Sequence, residues 1–169
     1  MNKKFQRQIN ISAIVSKIKL NPYFITGFVD AEASFIISIR KNSNYKTGWK
    51  IEARFQIGLH QKDRAILELI QSYFGLGMIS KLDETSVEYR VTRLQDLIKI
   101  IDHFNKYSLI TQKRADFILW KEVVELISRK EHLTTEGLQQ IVNIRATVNW
   151  GLTDKLKRLS LILSLYRDL

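Results

Sequence analysis

The chain contains no cysteine. Disulfides and thiolate metal sites are thereby excluded, and no cysteine framework marks it as secreted. It has one proline, and no low-complexity stretch separates it into parts. No apolar run approaches the roughly 18 residues of a membrane span, so no membrane partner is expected. Acidic residues are missing altogether from positions 1–20, MNKKFQRQINISAIVSKIKL. That stretch is assigned as a basic leader, open to reading as an organelle-targeting segment, a basic arm or a loosely ordered start.

The remainder is ordinary in bulk and unusual in charge. A length of 169 residues suits one domain with a real core, and 45% hydrophobic with 26% charged residues suits a globular chain. Lysine and arginine total 27 against 17 acids, a formal net charge of +10. Such an excess attracts polyanions, with nucleic acid the default partner and an anionic membrane surface the rival.

From Asn21 the pattern sharpens. "NPYF" offers Asn21 as a helix N-cap and Pro22 at the first helical position, predicting a short helix to about Glu32. "SFIISIRK" and "WKIEARFQIGLH" read as strands joined by the turn-rich "NSNYKTG". In that turn Asn42, Asn44, Tyr45 and Lys46 are candidate phosphate contacts. Residues 62–74 carry apolar groups at helical spacing and end at "GLG". "MISKL", "DETS" and "VEYRVTR" predict a hairpin. Helices follow over about 94–107, 113–129 and 135–149, the last capped by Thr134 or Thr135. The expected order is α-ββ-α-ββ-α with helices appended, a single α+β domain.

Strand alternation sorts side chains between a core face and an outward face. The core face takes Trp49, Ile51, Ala53, Phe55 and Ile57, together with Val87, Tyr89, Val91 and Arg93. The outward face takes Ser34, Ile36, Ser38, Arg40, Lys50, Glu52, Arg54, Gln56, Gly58, Glu88, Arg90 and Thr92. Arginine, glutamine and glutamate are side chains that read base edges, and a β-ribbon fits the major groove. A solvated sheet face has the same composition.

The stretch "FITGFVDAEASF" carries two acids in an otherwise apolar run. Gly27 and Ala31 lie four apart on one helix face, where small residues let two helix backbones approach. Glu32 falls at the C-terminal end, where the helix dipole disfavours a carboxylate. A surface glutamate at a frayed end is one reading. The other is a divalent cation, because Mg²⁺ prefers carboxylate and carbonyl oxygens, and paired metals serve phosphodiester hydrolysis. Asp30 is expected to cap or bond within this region. His60, His103 and His132 lack metal-ligand spacing. His103, Trp120, Trp150, Tyr73 and Tyr107 read as core.

Ile25-Thr26-Gly27-Phe28-Val29-Asp30-Ala31-Glu32-Ala33 resembles the nonapeptide that names the LAGLIDADG homing endonucleases. "ARFQIGLHQKD" (53–63), "LITQKRADF" (109–117) and "NWGLTD" (149–154) are similar to the organelle intron-encoded branch. The likeness covers roughly 21–157, assigned as the endonuclease domain, with 158–169 as a C-terminal tail. It implies the αββαββα fold of that family, with a saddle-shaped antiparallel sheet lying in the major groove and helices on one face. It further implies a metal-binding, catalytic Glu32, a basic Lys113 near the scissile phosphate, and Mg²⁺ as cofactor. Ser34, Ser38, Arg40, Lys50, Glu52, Arg54, Gln56, Ser80, Glu88, Arg90 and Thr92 fall at DNA-contacting positions. Gly27 and Ala31 form the dimer seam.

Metal-dependent, double-strand cleavage of double-stranded DNA in intron homing is the implied activity, by a homodimer or with a second half-domain. Mitochondrial placement is implied, with the chloroplast as alternative. The competing function is a non-cleaving nucleic-acid binder, such as an intron-RNA maturase or a degenerate half-endonuclease. Three departures bear on the choice. Ala33 stands where the family has glycine, Leu59 where it often has glutamine, and the chain carries one motif where its branch usually carries two.

Overall fold

The structure is a computed structural model and describes residues 19–147. Residues 1–18 of the leader, Trp150, the "NWGLTD" stretch and the tail lie outside the described residues.

Helix α1 (Pro22–Glu32) begins as its sequence requires. Asn21 accepts the Tyr23 N–H on its side-chain oxygen at 2.9 Å, and Pro22 fills the first turn, where an N–H would lack a helical partner. The helix stops because Ala33 turns extended, at φ −88° and ψ 165°. Strand β1 (Ala33–Lys41) follows without a connecting residue, so the end of α1 is locked to the start of the sheet. Strand β2 (Trp49–His60) pairs antiparallel with β1, from Ala33 opposite Ile57 to Lys41 opposite Trp49.

A 3-10 turn (Gln61–Asp63) precedes α2 (Arg64–Phe74), dividing what the periodicity treats as one helix. The turn begins where His60 Nδ1 accepts the Lys62 N–H. The glycines that end α2 are required: Gly75 caps it at φ +66°, and Gly77, at φ +77°, lets the chain pass Tyr89. A Cβ on Gly77 would stand 2.6 Å from the Tyr89 ring.

Strands β3 (Met78–Lys81) and β4 (Ser86–Val91) complete a four-stranded antiparallel sheet of order β1-β2-β4-β3. Asp83 forms their turn by accepting the Thr85 and Ser86 N–H groups, as Asx turns do. Helices α3 (Leu94–Lys106), α4 (Lys113–Ser128) and α5 (Thr135–Thr147) follow. Thr134 caps α5 by accepting the Gly137 N–H at 3.0 Å.

The core lies between one sheet face and the helices. Phe35 is its hub, with ring centroids of Phe55, Phe104, Phe117 and Trp120 all within 5.1–5.9 Å. Trp120, Phe55 and Tyr89 are fully buried, and the Tyr89 hydroxyl donates to the Leu76 carbonyl. One assignment to this face is corrected: Arg93 is not a core residue. Strand β4 ends at Val91, so alternation stops there, and Arg93 becomes the exposed N-cap of α3.

Candidate functional site

The site gathers where α1 ends and β1 begins. The buried side of α1 is Ile25, Thr26 and Val29; the opposite side leaves Phe24, Gly27 and Ala31 exposed. A Cβ built on Gly27 would meet nothing within 4 Å among the described residues. Glu32 is exposed, and no hydrogen bond or ion pair among the described residues engages its carboxylate. It borders an open groove of about 780 Å³ lined by the apolar Phe24, Phe28, Leu59, Ile66 and Leu82 and by the polar His60, Asp63 and Ser86. Leu59 is half-buried there and offers no hydrogen bond to a water.

Ala33 removes one of the three difficulties. Its φ is negative, in extended backbone that any residue adopts, so alanine carries no left-handed strain here. Its carbonyl oxygen accepts a hydrogen bond from Lys113 Nζ, bringing the lysine to the residue beside Glu32 from 80 positions away.

Asp30 is committed elsewhere. One oxygen accepts the Ile110 N–H at 3.0 Å, and the other accepts the Thr111 hydroxyl at 2.7 Å. These partners belong to the α3–α4 connection, not to the motif region as expected. Sequence reasoning missed this bridge and the 88% exposed Ile110 beside it, since nothing local in either segment announces a partner so distant.

Ten of the eleven candidate DNA-contacting residues are partly or fully exposed on one sheet face. Register aligns Ser34, Gln56, Arg90 and Met78 in one row across all four strands. Arg54 lies opposite Ile36, Glu52 opposite Ser38, and Lys50 opposite Arg40. Ser38, Arg40, Glu52, Arg54, Arg90 and Thr92 border a groove of about 370 Å³. Glu52 pairs with Arg40, and with Lys50 at 2.9 Å. Its pKa is lowered, first by the Lys50 hydrogen bond, which burial opposes, and further by the Arg40 hydrogen bond and the two positive charges.

Glu88 is the exception. It is 4% exposed, because the Ser80 hydroxyl at 3.2 Å and the Arg90 guanidinium at 3.4 Å close over it. It is therefore corrected from a base-reading group to a buried anchor for Arg90.

Other residues fall as their patterns suggest. His103 packs among Tyr73, Phe74, Phe104 and Tyr107, and burial pushes its pKa down to about 4. Its Nδ1 meets the Tyr73 hydroxyl at 3.2 Å and its Nε2 the Thr26 hydroxyl at 3.5 Å. Tyr73 and Tyr107 are half-buried in this cluster. Among the described residues no three histidine, aspartate or glutamate side chains gather where they could hold a metal. No helix there is long and apolar enough to cross a membrane. At this end of α1 the described residues thus present the unpartnered Glu32 carboxylate and a tethered lysine, beside a polar sheet face.

Fold and site together define an α+β domain that sets a free carboxylate and an open helix flank beside a sheet bearing basic groups. Residues 25–124 match the family model described as LAGLIDADG endonuclease, and the chain belongs to that family. It is 52% identical over 141 residues to "Probable intron-encoded endonuclease 2" of Neurospora crassa, covering 82% of this chain and 31% of that protein. Among solved structures, the LAGLIDADG meganuclease I-CpaMI bound to uncleaved DNA superposes with a TM-score of 0.83 at 44% identity, covering 86% of this chain and 50% of that one. I-SmaMI, bound to uncleaved DNA target in the presence of calcium ions, gives 0.81 at 46% identity, covering 83% and 48%. The chain thus spans about a third of the curated relative's length and about half of each solved chain.

Proposed function

We propose that this chain is one half of a site-specific, intron-homing DNA endonuclease, completed by a second copy of itself or by another half-domain. One observation carries the reading: Glu32 stands free at the end of a helix whose exposed flank is Gly27 and Ala31. Two such flanks, pressed together, bring two acids to one place. A single exposed carboxylate does not make a metal site, and a second half would supply the other.

Glu32 from each half, with neighbouring backbone carbonyls, would hold Mg²⁺, an oxygen-preferring ion that stabilises charge on a phosphodiester and activates water. Lys113 presents an ammonium group beside the same point, suited to offset negative charge developing on the phosphate. Arg40, Lys50, Arg54 and Arg90 supply the attraction to the DNA backbone, and Gln56 and Arg90 share the row best placed to meet base edges. The glutamate partners of Arg40 and Arg90 hold those heads in place before DNA arrives. The kinship with an intron-encoded fungal protein supports mitochondrial placement.

Leu59 favours a second reading, a nucleic-acid binder that does not cut, with intron RNA as its partner. An apolar side chain at that point cannot orient a water molecule. Incubating wild type and Glu32→Gln with DNA spanning the intron insertion site, in Mg²⁺ and in EDTA, separates the two. Metal-dependent double-strand cleavage lost in the variant is expected. Binding without cutting in every condition contradicts the nuclease reading and leaves the second.

A further inference from the structure

The start of α4 lacks an ordinary cap. Gln112 occupies the N-cap and makes no side-chain bond there; the Arg114 and Ala115 N–H groups reach the Thr111 and Gln112 carbonyls, which leaves that of Lys113 in need of an acceptor. Thr111 fills the gap: its hydroxyl oxygen accepts the Lys113 N–H at 3.2 Å. The proton of that hydroxyl goes to Asp30 at 2.7 Å, a bond strengthened by the carboxylate's charge. The second Asp30 oxygen takes the Ile110 N–H. Lys113 Nζ then returns to the Ala33 carbonyl, three residues beyond Asp30. The links form a closed circuit from Asp30 through Thr111 and Lys113 back to the end of α1.

Electrostatics favours the same arrangement. Asp30 lies in the last turn of α1, where the helix dipole disfavours negative charge, but it also faces the first turn of α4, where the dipole favours it. Both Asp30 oxygens carry protein donors, whereas among the described residues Glu32 carries none. The two acids of the motif therefore have different work.

We propose that Asp30 is a positioning residue: acting through Thr111, it sets the first turn of α4 so that the Lys113 ammonium is held beside Glu32. Asp30 itself touches neither metal nor DNA. The activity consequence rests on the nuclease reading; the placement of Lys113 does not.

The test uses the full chain with Asp30→Asn, Thr111→Val and Thr111→Ser. Limiting acetic anhydride labels each lysine amine, and mass spectrometry gives the rate at Lys113, with the exposed Lys62 and Lys99 as internal references. Asp30→Asn and Thr111→Val are expected to raise Lys113 labelling several-fold toward the Lys62 rate while Lys99 stays constant. Thr111→Ser, which keeps the hydroxyl, should label as wild type. In cleavage, the first two variants should lower kcat about 10²-fold with KM for DNA unchanged, the cost of a misplaced group. Combining them should cost no more than either alone. Unchanged Lys113 labelling in Asp30→Asn and Thr111→Val overturns the proposal, as does equal acceleration at all three lysines, which signals general loosening. If wild type cuts no DNA, the nuclease reading fails, and the labelling still decides the positioning role.

Discussion

Single residues decide how much of the family chemistry this chain retains. Ala33 costs nothing, since the backbone there is extended. Leu59 places an apolar side chain in the groove beside Glu32. His103 takes no part in chemistry, yet it ties stability to pH. Its folded pKa of about 4 lies below the ordinary 6.5, so the unfolded chain binds the proton more readily. Its contribution is whole above pH 6.5 and is lost as pH falls toward 4, by roughly 3 kcal/mol at most. In urea titrations at pH 7.5 and pH 4.5, His103→Phe should lose less stability between the two than wild type. An equal loss contradicts the assignment. The packing of His103 was legible in its apolar neighbours, but its hydroxyl partners on α1 and α2 were not, because no pattern in one helix records what another brings.

At the scale of elements, α1 has two finished ends, a buried face and one bare flank. A Cβ added at Gly27 meets nothing within 4 Å among the described residues, so a larger side chain there tests partnership with little disturbance of the fold. Gly27→Leu should leave the melting temperature nearly unchanged while light scattering shows the loss of self-association. A dimer that survives the substitution contradicts the seam. The sheet gives a companion case. Alternation correctly placed the outward rows, but it could not show that Glu88 sits opposite Gly58, which has no side chain, with Ser80 on its other side. Burial there follows from neighbours across strands, which periodicity within one strand does not contain. Arg90→Ala should weaken DNA binding and relax preference at one base position, by about 1–3 kcal/mol of discrimination. Loss of affinity equal for all sequences would make Arg90 a backbone contact only.

For the whole molecule, the net charge of +10 pointed to a polyanion, and the order of strands and helices was readable from Asn21 to the last helix. The Lys113–Ala33 and Asp30–Thr111 contacts were beyond that reading, since each joins segments about 80 residues apart. Resemblance, not periodicity, singled out Lys113. The central claim, that two motif helices pool their glutamates in one cleavage site, is tested most directly by mixing subunits. Wild type and Glu32→Gln are refolded together in varied proportion, and double-strand cleavage of the insertion-site DNA is measured. Pooled sites require two intact copies, so activity should follow the square of the wild-type fraction, about one quarter at equal amounts. Activity that falls in simple proportion would mean each chain cuts alone, and the shared site would be wrong.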